Sequence, residues 1–122
     1  MTSRAARHKT RVLLASAVSL MLSVSAITAS DAPSFPKRTP YDEARESLLA
    51  LGYTPITAPN ADQCEANDER CAGRPEMLFC SGTGLARCGF LWKSPRGALY
   101  EIGTIGELSP FVSSIKCRAN CR

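Results

Sequence analysis

Histidine is almost missing from this chain of 122 residues: there is one, His8, and it lies within the first eleven positions. That segment reads as part of an export signal, and its removal leaves no imidazole. Ser-His and Cys-His nucleophiles and histidine-ligated metals are thereby excluded. Surplus charge is missing as well. The fifteen Lys and Arg include Arg4, Arg7, Lys9 and Arg11, and without those four the basic residues equal the eleven acidic ones. A net charge near zero excludes a nucleic-acid partner, because binding phosphate backbone needs a clustered surplus of Lys and Arg. No Cys-x-x-Cys occurs, so the spacing that lowers a thiol pKa in redox catalysts and builds most zinc sites is absent. There is no internal repeat and no low-complexity tract.

What is present begins with a targeting signal. Residues 1–11 form a basic stretch, and Val12 to about Ala26 an apolar one rich in Val, Leu, Ala, Met and Ser. The apolar core falls short of the roughly 20 residues that span a bilayer. It closes on Val24-Ser25-Ala26 or Ile27-Thr28-Ala29. Residues 1–29 therefore read as a secretory signal peptide cleaved after Ala26 or Ala29. No cysteine stands nearby to accept an acyl anchor, so the expected product is periplasmic or secreted, with no stable membrane anchor after cleavage.

Residues 30–38 carry two prolines and no apolar period, and read as a flexible leader; 39–122 read as a single disulfide-rich domain. Thr39-Pro40-Tyr41-Asp42 has the signals of a helix start: a hydroxyl to cap, proline at the first helical position, and a carboxylate that favours the dipole. Tyr41, Ala44, Leu48 and Leu51 then lay an apolar stripe along about three turns, ended by Gly52. Tyr53 to Ile56 reads as an edge strand because Pro55 lacks an amide hydrogen. Residues 57–75 are polar and aperiodic, a long loop that needs a staple. The runs Glu76 to Cys80 and Cys88 to Trp92 read as strands joined by the glycine-rich turn Ser81-Gly82-Thr83-Gly84. Lys93 to Gly97 reads as a hairpin turn, Ala98 to Ile105 as the returning strand, and Phe111 to Cys117 as a last short strand. Alternation places Cys88, Phe90 and Trp92 on one face, and Ala98, Tyr100 and Ile102 on one face of the next strand.

Six cysteines in an exported chain are an even number in an oxidising compartment and point to disulfides. Fifteen pairings are possible. The favoured set is Cys64 with Cys71, Cys80 with Cys88, and Cys117 with Cys121, the second closing the base of the glycine-rich turn. Cys117 and Cys121 have the alternative of tying the tail to the long loop.

The candidate chemistry is sparse. Glu76 and Glu101 sit among apolar neighbours and could serve as a carboxylate pair, although Glu101 on an alternating strand is expected to face solvent. Ser81 to Gly84 resembles an anion nest, but no Gly-Lys-Ser or Gly-Lys-Thr follows, which favours a disulfide-clamped turn. Trp92, Phe90 and Tyr100 read as core rather than as a binding patch.

The stretches Pro40-Tyr41-Asp42-Glu43-Ala44-Arg45, Leu48-Leu49, Gly52-Tyr53-Thr54-Pro55, Pro75-Glu76 and Cys80-Ser81-Gly82-Thr83-Gly84-Leu85-Ala86-x-Cys88 resemble a group of small secreted, cysteine-containing bacterial proteins of unknown function. The resemblance spans about residues 40–107. It implies export and a stapled helix-and-sheet fold, and it supplies no activity.

The expectation is an α+β fold, one N-terminal helix packed on a small three- or four-stranded antiparallel sheet, stapled by disulfides. The expected role is binding: an exported interaction protein that contacts an envelope protein or a cell-wall component, an inhibitor being one form of this. Its contact residues would be Asp62, Glu65, Asp68 and Glu69 on the acidic loop 60–70, and Ser81 and Thr83 on the turn 81–86. No catalytic residue, metal or cofactor is assigned. The alternative is a small hydrolase of the cell envelope working through carboxylates.

Overall fold

A computed structural model describes residues 31–122 and, before them, only Thr2 and Ser23. The export signal and both candidate cleavage sites lie outside the described residues.

One helix, α1 (Tyr41–Ala50), precedes five strands: β1 (Thr54–Pro55), β2 (Met77–Cys80), β3 (Cys88–Lys93), β4 (Leu99–Ile105) and β5 (Phe111–Ala119). Tyr41, Ala44 and Leu48 form the buried stripe of α1, as their spacing requires. Leu51 does not join them. It lies just past the last helical residue and is 63% exposed. Gly52 ends the helix at φ 84°, a conformation that costs glycine little, with its amide donating to Leu49 O at 3.1 Å and that of Tyr53 to Leu48 O at 2.9 Å. The start departs from expectation. Pro40 occupies the capping position with no side-chain cap, because Thr39 Oγ1 donates to Pro36 O at 2.7 Å and Pro40 bridges Phe111.

The sheet is antiparallel and has five strands rather than three or four. β1 and β2 both pair with β3, β3 pairs with β4, and β4 with β5. β1 earns its place by only two residue pairs, which spares Pro55 from a central ladder. β5 runs on to Ala119 because shifts in register between Gly103 and Thr104, and between Leu99 and Tyr100, let it keep pairing with β4. Between β3 and β4 the chain turns at Ser94 to Gly97. Ser94 N donates to Ala98 O at 2.8 Å, Gly97 N to Ser94 O at 2.9 Å, and Gly97 sits at φ 88°.

Alternation holds in both central strands. Cys88, Phe90 and Trp92 from β3, and Tyr100 and Ile102 from β4 with Ala98 just before it, form one buried cluster with Tyr41 and Leu48 of α1. Trp92 is core, fully buried, and its indole Nε1 donates to Tyr41 Oη at 3.1 Å. The Tyr41 and Phe90 rings stack at 3.9 Å between centroids.

Residues 31–38 form no helix or strand, and side-chain bonds tie their first residue to the sheet. Asp31 accepts from Tyr100 Oη at 2.9 Å and from Ser94 Oγ, its carbonyl accepts from Tyr53 Oη, Pro33 is buried, and Phe35 packs on the core. The Ser94 and Tyr100 hydroxyls hold the Asp31 carboxyl below its usual range. Burial and that shared bond push the Tyr100 phenol up to about 12.

Candidate functional site: an acidic loop and a clamped turn

The turn 81–86 leaves β2 and returns to β3 at the register pair Cys80 and Cys88, which a disulfide joins. Inside it, Ser81 N donates to Arg87 O at 2.6 Å and Ala86 N to Thr83 O at 3.2 Å. The acidic loop is closed by the disulfide Cys64–Cys71 and by two tight turns, Asp68 N to Glu65 O at 3.1 Å and Cys71 N to Asp68 O at 3.3 Å. Asp62 N donates to Leu78 O at 2.8 Å, which moors the loop to β2. The third disulfide, Cys117–Cys121, curls the tail at the end of β5 and does not reach the loop.

Arg70 joins the two segments. Its Nε donates to Asp68 Oδ1 at 2.9 Å and its Nη2 to Asp68 Oδ2 at 2.7 Å. Nη1 reaches across to the turn, donating to Ser81 O at 2.8 Å and Ala86 O at 3.3 Å. A planar fork can satisfy a carboxylate and two carbonyls at once, which the point charge of lysine cannot. The pairing holds the Asp68 carboxyl below its usual range and the Arg70 guanidinium above its own. The neighbouring loop 106–110 leans on the same turn through Gly106 N to Leu85 O at 2.9 Å.

The six contact residues named from sequence separate into two kinds. Asp62, Glu65, Glu69 and Thr83 are exposed and available. Asp68 is engaged by Arg70 on both oxygens, and Ser81 Oγ is engaged by Thr83, accepting from its amide at 3.3 Å, so these two build the surface rather than offer it. Loop and turn together line a groove of about 320 Å³ between Asp62, Asp68 and Gly82. Sequence reasoning passed over Arg70, although a lone cation inside an acidic run is a signal that it is paired there. It also passed over Leu85 and Leu108, which are 57% and 96% exposed on neighbouring loops.

The two carboxylates considered for catalysis are not brought together. Glu76 is fully buried on the helix side, where Tyr41 Oη donates to it at 3.0 Å and Arg45 Nε at 2.7 Å. Burial and the adjacent Glu76 charge push the Tyr41 phenol well above its usual range, and the bond to Glu76 raises Arg45. Glu101 alternates with Tyr100 and Ile102 and so faces the opposite side of β4. It does not face solvent as expected: it is 6% exposed and pairs with Arg118 at 3.0 Å. Two carboxylates on opposite faces of one sheet cannot flank a common bond.

Asp68 has a carboxylate oxygen within 4.8 Å of Cys71 Sγ and Cys80 Sγ. Both sulfurs are bound in disulfides and both carboxylate oxygens are taken by Arg70, so this junction offers no thiolate to a metal. Among the described residues no helix is long and apolar enough to cross a membrane. No family model, no curated protein and no solved structure matches the chain.

Proposed function

We propose that the chain is an interaction module of the cell envelope, periplasmic or secreted, that binds a protein partner through the loop 60–70 and the turn 81–86. The observation that carries this reading is the Arg70 fork, which fixes two irregular segments against each other where one disulfide already closes each of them. Irregular segments held rigid by a scaffold are the usual place for recognition. Rigidity matters because a preordered surface loses less conformational entropy on binding. The groups left exposed include the carboxylates of Asp62, Glu65 and Glu69, the Thr83 side chain, and the side chains of Leu85 and Leu108. Their complement is a basic patch with an apolar side chain at its centre, on an envelope protein. A cell-wall component is the second candidate partner, and the crosslink described next separates it by mass.

The test is a photo-reactive side chain placed at Leu85 in the exported protein, with Glu46 on the outer surface of α1 as control. A discrete protein adduct is expected from Leu85 alone, and it should vanish when Asp62, Glu65 and Glu69 are changed to lysine. Equal adducts from both positions, or none from Leu85, would overturn the reading.

A further inference from the structure

The sheet ends at β5, whose inner edge pairs along its length with β4. On the outer edge, Val112 N donates to Thr39 O at 2.8 Å, Tyr41 N donates to Pro110 O at 3.0 Å, and Pro40 bridges Phe111. The chain before α1 thus starts a sixth strand and then abandons it. Arg38, at φ 61°, turns the backbone away, and Phe35 is carried onto the core side of the sheet. Beyond Val112, no described residue makes a backbone hydrogen bond to this edge as far as Ala119. Such a row of amides and carbonyls is a template for another strand.

Where the leading segment departs, a groove of about 420 Å³ opens between Phe35 and the residues Val112 to Ile115, with Lys37 and Arg38 on its rim. Lys116 follows along the strand, exposed and with no ion pair among the described residues, whereas Arg118 is already held by Glu101 of β4; neither β5 nor residues 32–41 contain an acidic residue. The charge decides what fits. A second copy added through the same edge would set these cations against their own counterparts, and like charges across a strand pair repel. An extended acidic segment meets complementary charge instead.

We propose that the β5 edge from Ser113 to Ala119 takes up an extended acidic segment of another protein by strand addition, with one apolar side chain of that segment in the groove beside Phe35. Main-chain pairing supplies the affinity and the groove and cations supply the selection. Lys116 and Arg118 border the groove that also holds Asp62 of the acidic loop, whereas Phe35, Lys37 and the Val112 to Ile115 edge lie outside it, so the proposal is tested at those residues and independently of the loop 60–70.

The experiment uses the exported, oxidised chain and a labelled octapeptide, Glu-Val-Glu-Phe-Glu-Val-Asp-Val, read by fluorescence anisotropy. It should bind about tenfold more tightly than the same peptide with lysine at each acidic position. The double variant Lys37→Glu with Lys116→Glu should reverse that preference; among the described residues neither side chain has a hydrogen bond or ion pair to lose, and Lys37→Glu alone, which leaves Lys116 opposite Glu101, should abolish most of it. N-methylation of alternate peptide amides in one phase should abolish binding, and in the other phase leave it. Equal binding of acidic and basic peptides, indifference to both N-methylation phases, or sedimentation of the chain as a dimer would each overturn the proposal.

Discussion

Replacing Arg70 with methionine keeps the aliphatic stem and removes the fork, so it isolates what joins the loop to the turn. Four hydrogen bonds are lost, two to Asp68 and one each to Ser81 O and Ala86 O. Breaking a fully buried ion pair costs about 3–5 kcal/mol, and bonds to a charged group contribute about 1.5–3 kcal/mol each. These do not simply add here. The Asp68 side chain is 16% exposed and can be partly rehydrated, which brings the expected loss to about 2–4 kcal/mol. With a urea slope of about 1–1.5 kcal/mol per molar for a chain this small, the midpoint should fall by about 2 M. Trp92, the only tryptophan and fully buried, reports the transition by its emission with the disulfides left intact. Amide exchange at Ser81 and Ala86 should quicken in the same variant. Arg70→Lys should recover only part of the loss, since one ammonium cannot serve Asp68 and both carbonyls. A midpoint shift below about 0.5 M, with exchange unchanged, would mean that the disulfides alone order this face and that the Arg70 argument is wrong.

Three further outcomes follow from the buried polar groups. The folded Asp31 carboxyl titrates below its ordinary value, so its contribution is complete above about pH 3.9 and is lost as pH falls through the folded pKa. Near-ultraviolet circular dichroism of Tyr53 and Tyr100 should report that release, and Asp31→Asn should flatten the acid limb; an unchanged limb would contradict the assignment. Tyr41→Phe removes the donor to Glu76 and the acceptor of Trp92 Nε1, leaving both buried and short of a partner. It should cost about 2–3 kcal/mol and shift the Trp92 emission, measured by thermal unfolding and fluorescence. Thr104 Oγ1 is buried with no hydrogen-bond partner among the described residues, so Thr104→Val should be neutral or raise stability by up to about 1 kcal/mol in urea unfolding.

Where the sequence was informative, the deciding forces were local. The stripe of Tyr41, Ala44 and Leu48, the left-handed Gly52, the Ser94 to Gly97 turn and the alternation through Phe90, Trp92, Tyr100 and Ile102 each depend on neighbours a few positions away. Leu51 shows the limit of that reasoning, since one more step along the stripe falls past the end of the helix and into solvent. The fastening of Asp31 was not legible because its partners Tyr53, Ser94 and Tyr100 stand 22, 63 and 69 positions away. Thr39 was read as a cap from its type, yet Pro40, bridged to Phe111, takes the capping position one residue later, and the Thr39 hydroxyl donates to Pro36 O. Glu101 was expected in water because alternation assigns a face but not what covers it; Arg118, one strand away, allows its burial. The loop and turn were chosen for their composition, and what joins them, Arg70, becomes visible only when residues 11 and 16 positions apart are placed in space.

The claim on which the account rests is that an exported and fully oxidised chain presents the loop and the turn as one stapled surface. Intact and peptide mass spectrometry of the exported protein, with thiols alkylated before and after reduction, tests it most directly. The account predicts a chain starting at residue 27 or 30, no alkylation before reduction, and the linkages Cys64–Cys71, Cys80–Cys88 and Cys117–Cys121. Two or more reactive thiols, a bound metal, or a linkage between the loop and the tail would contradict it.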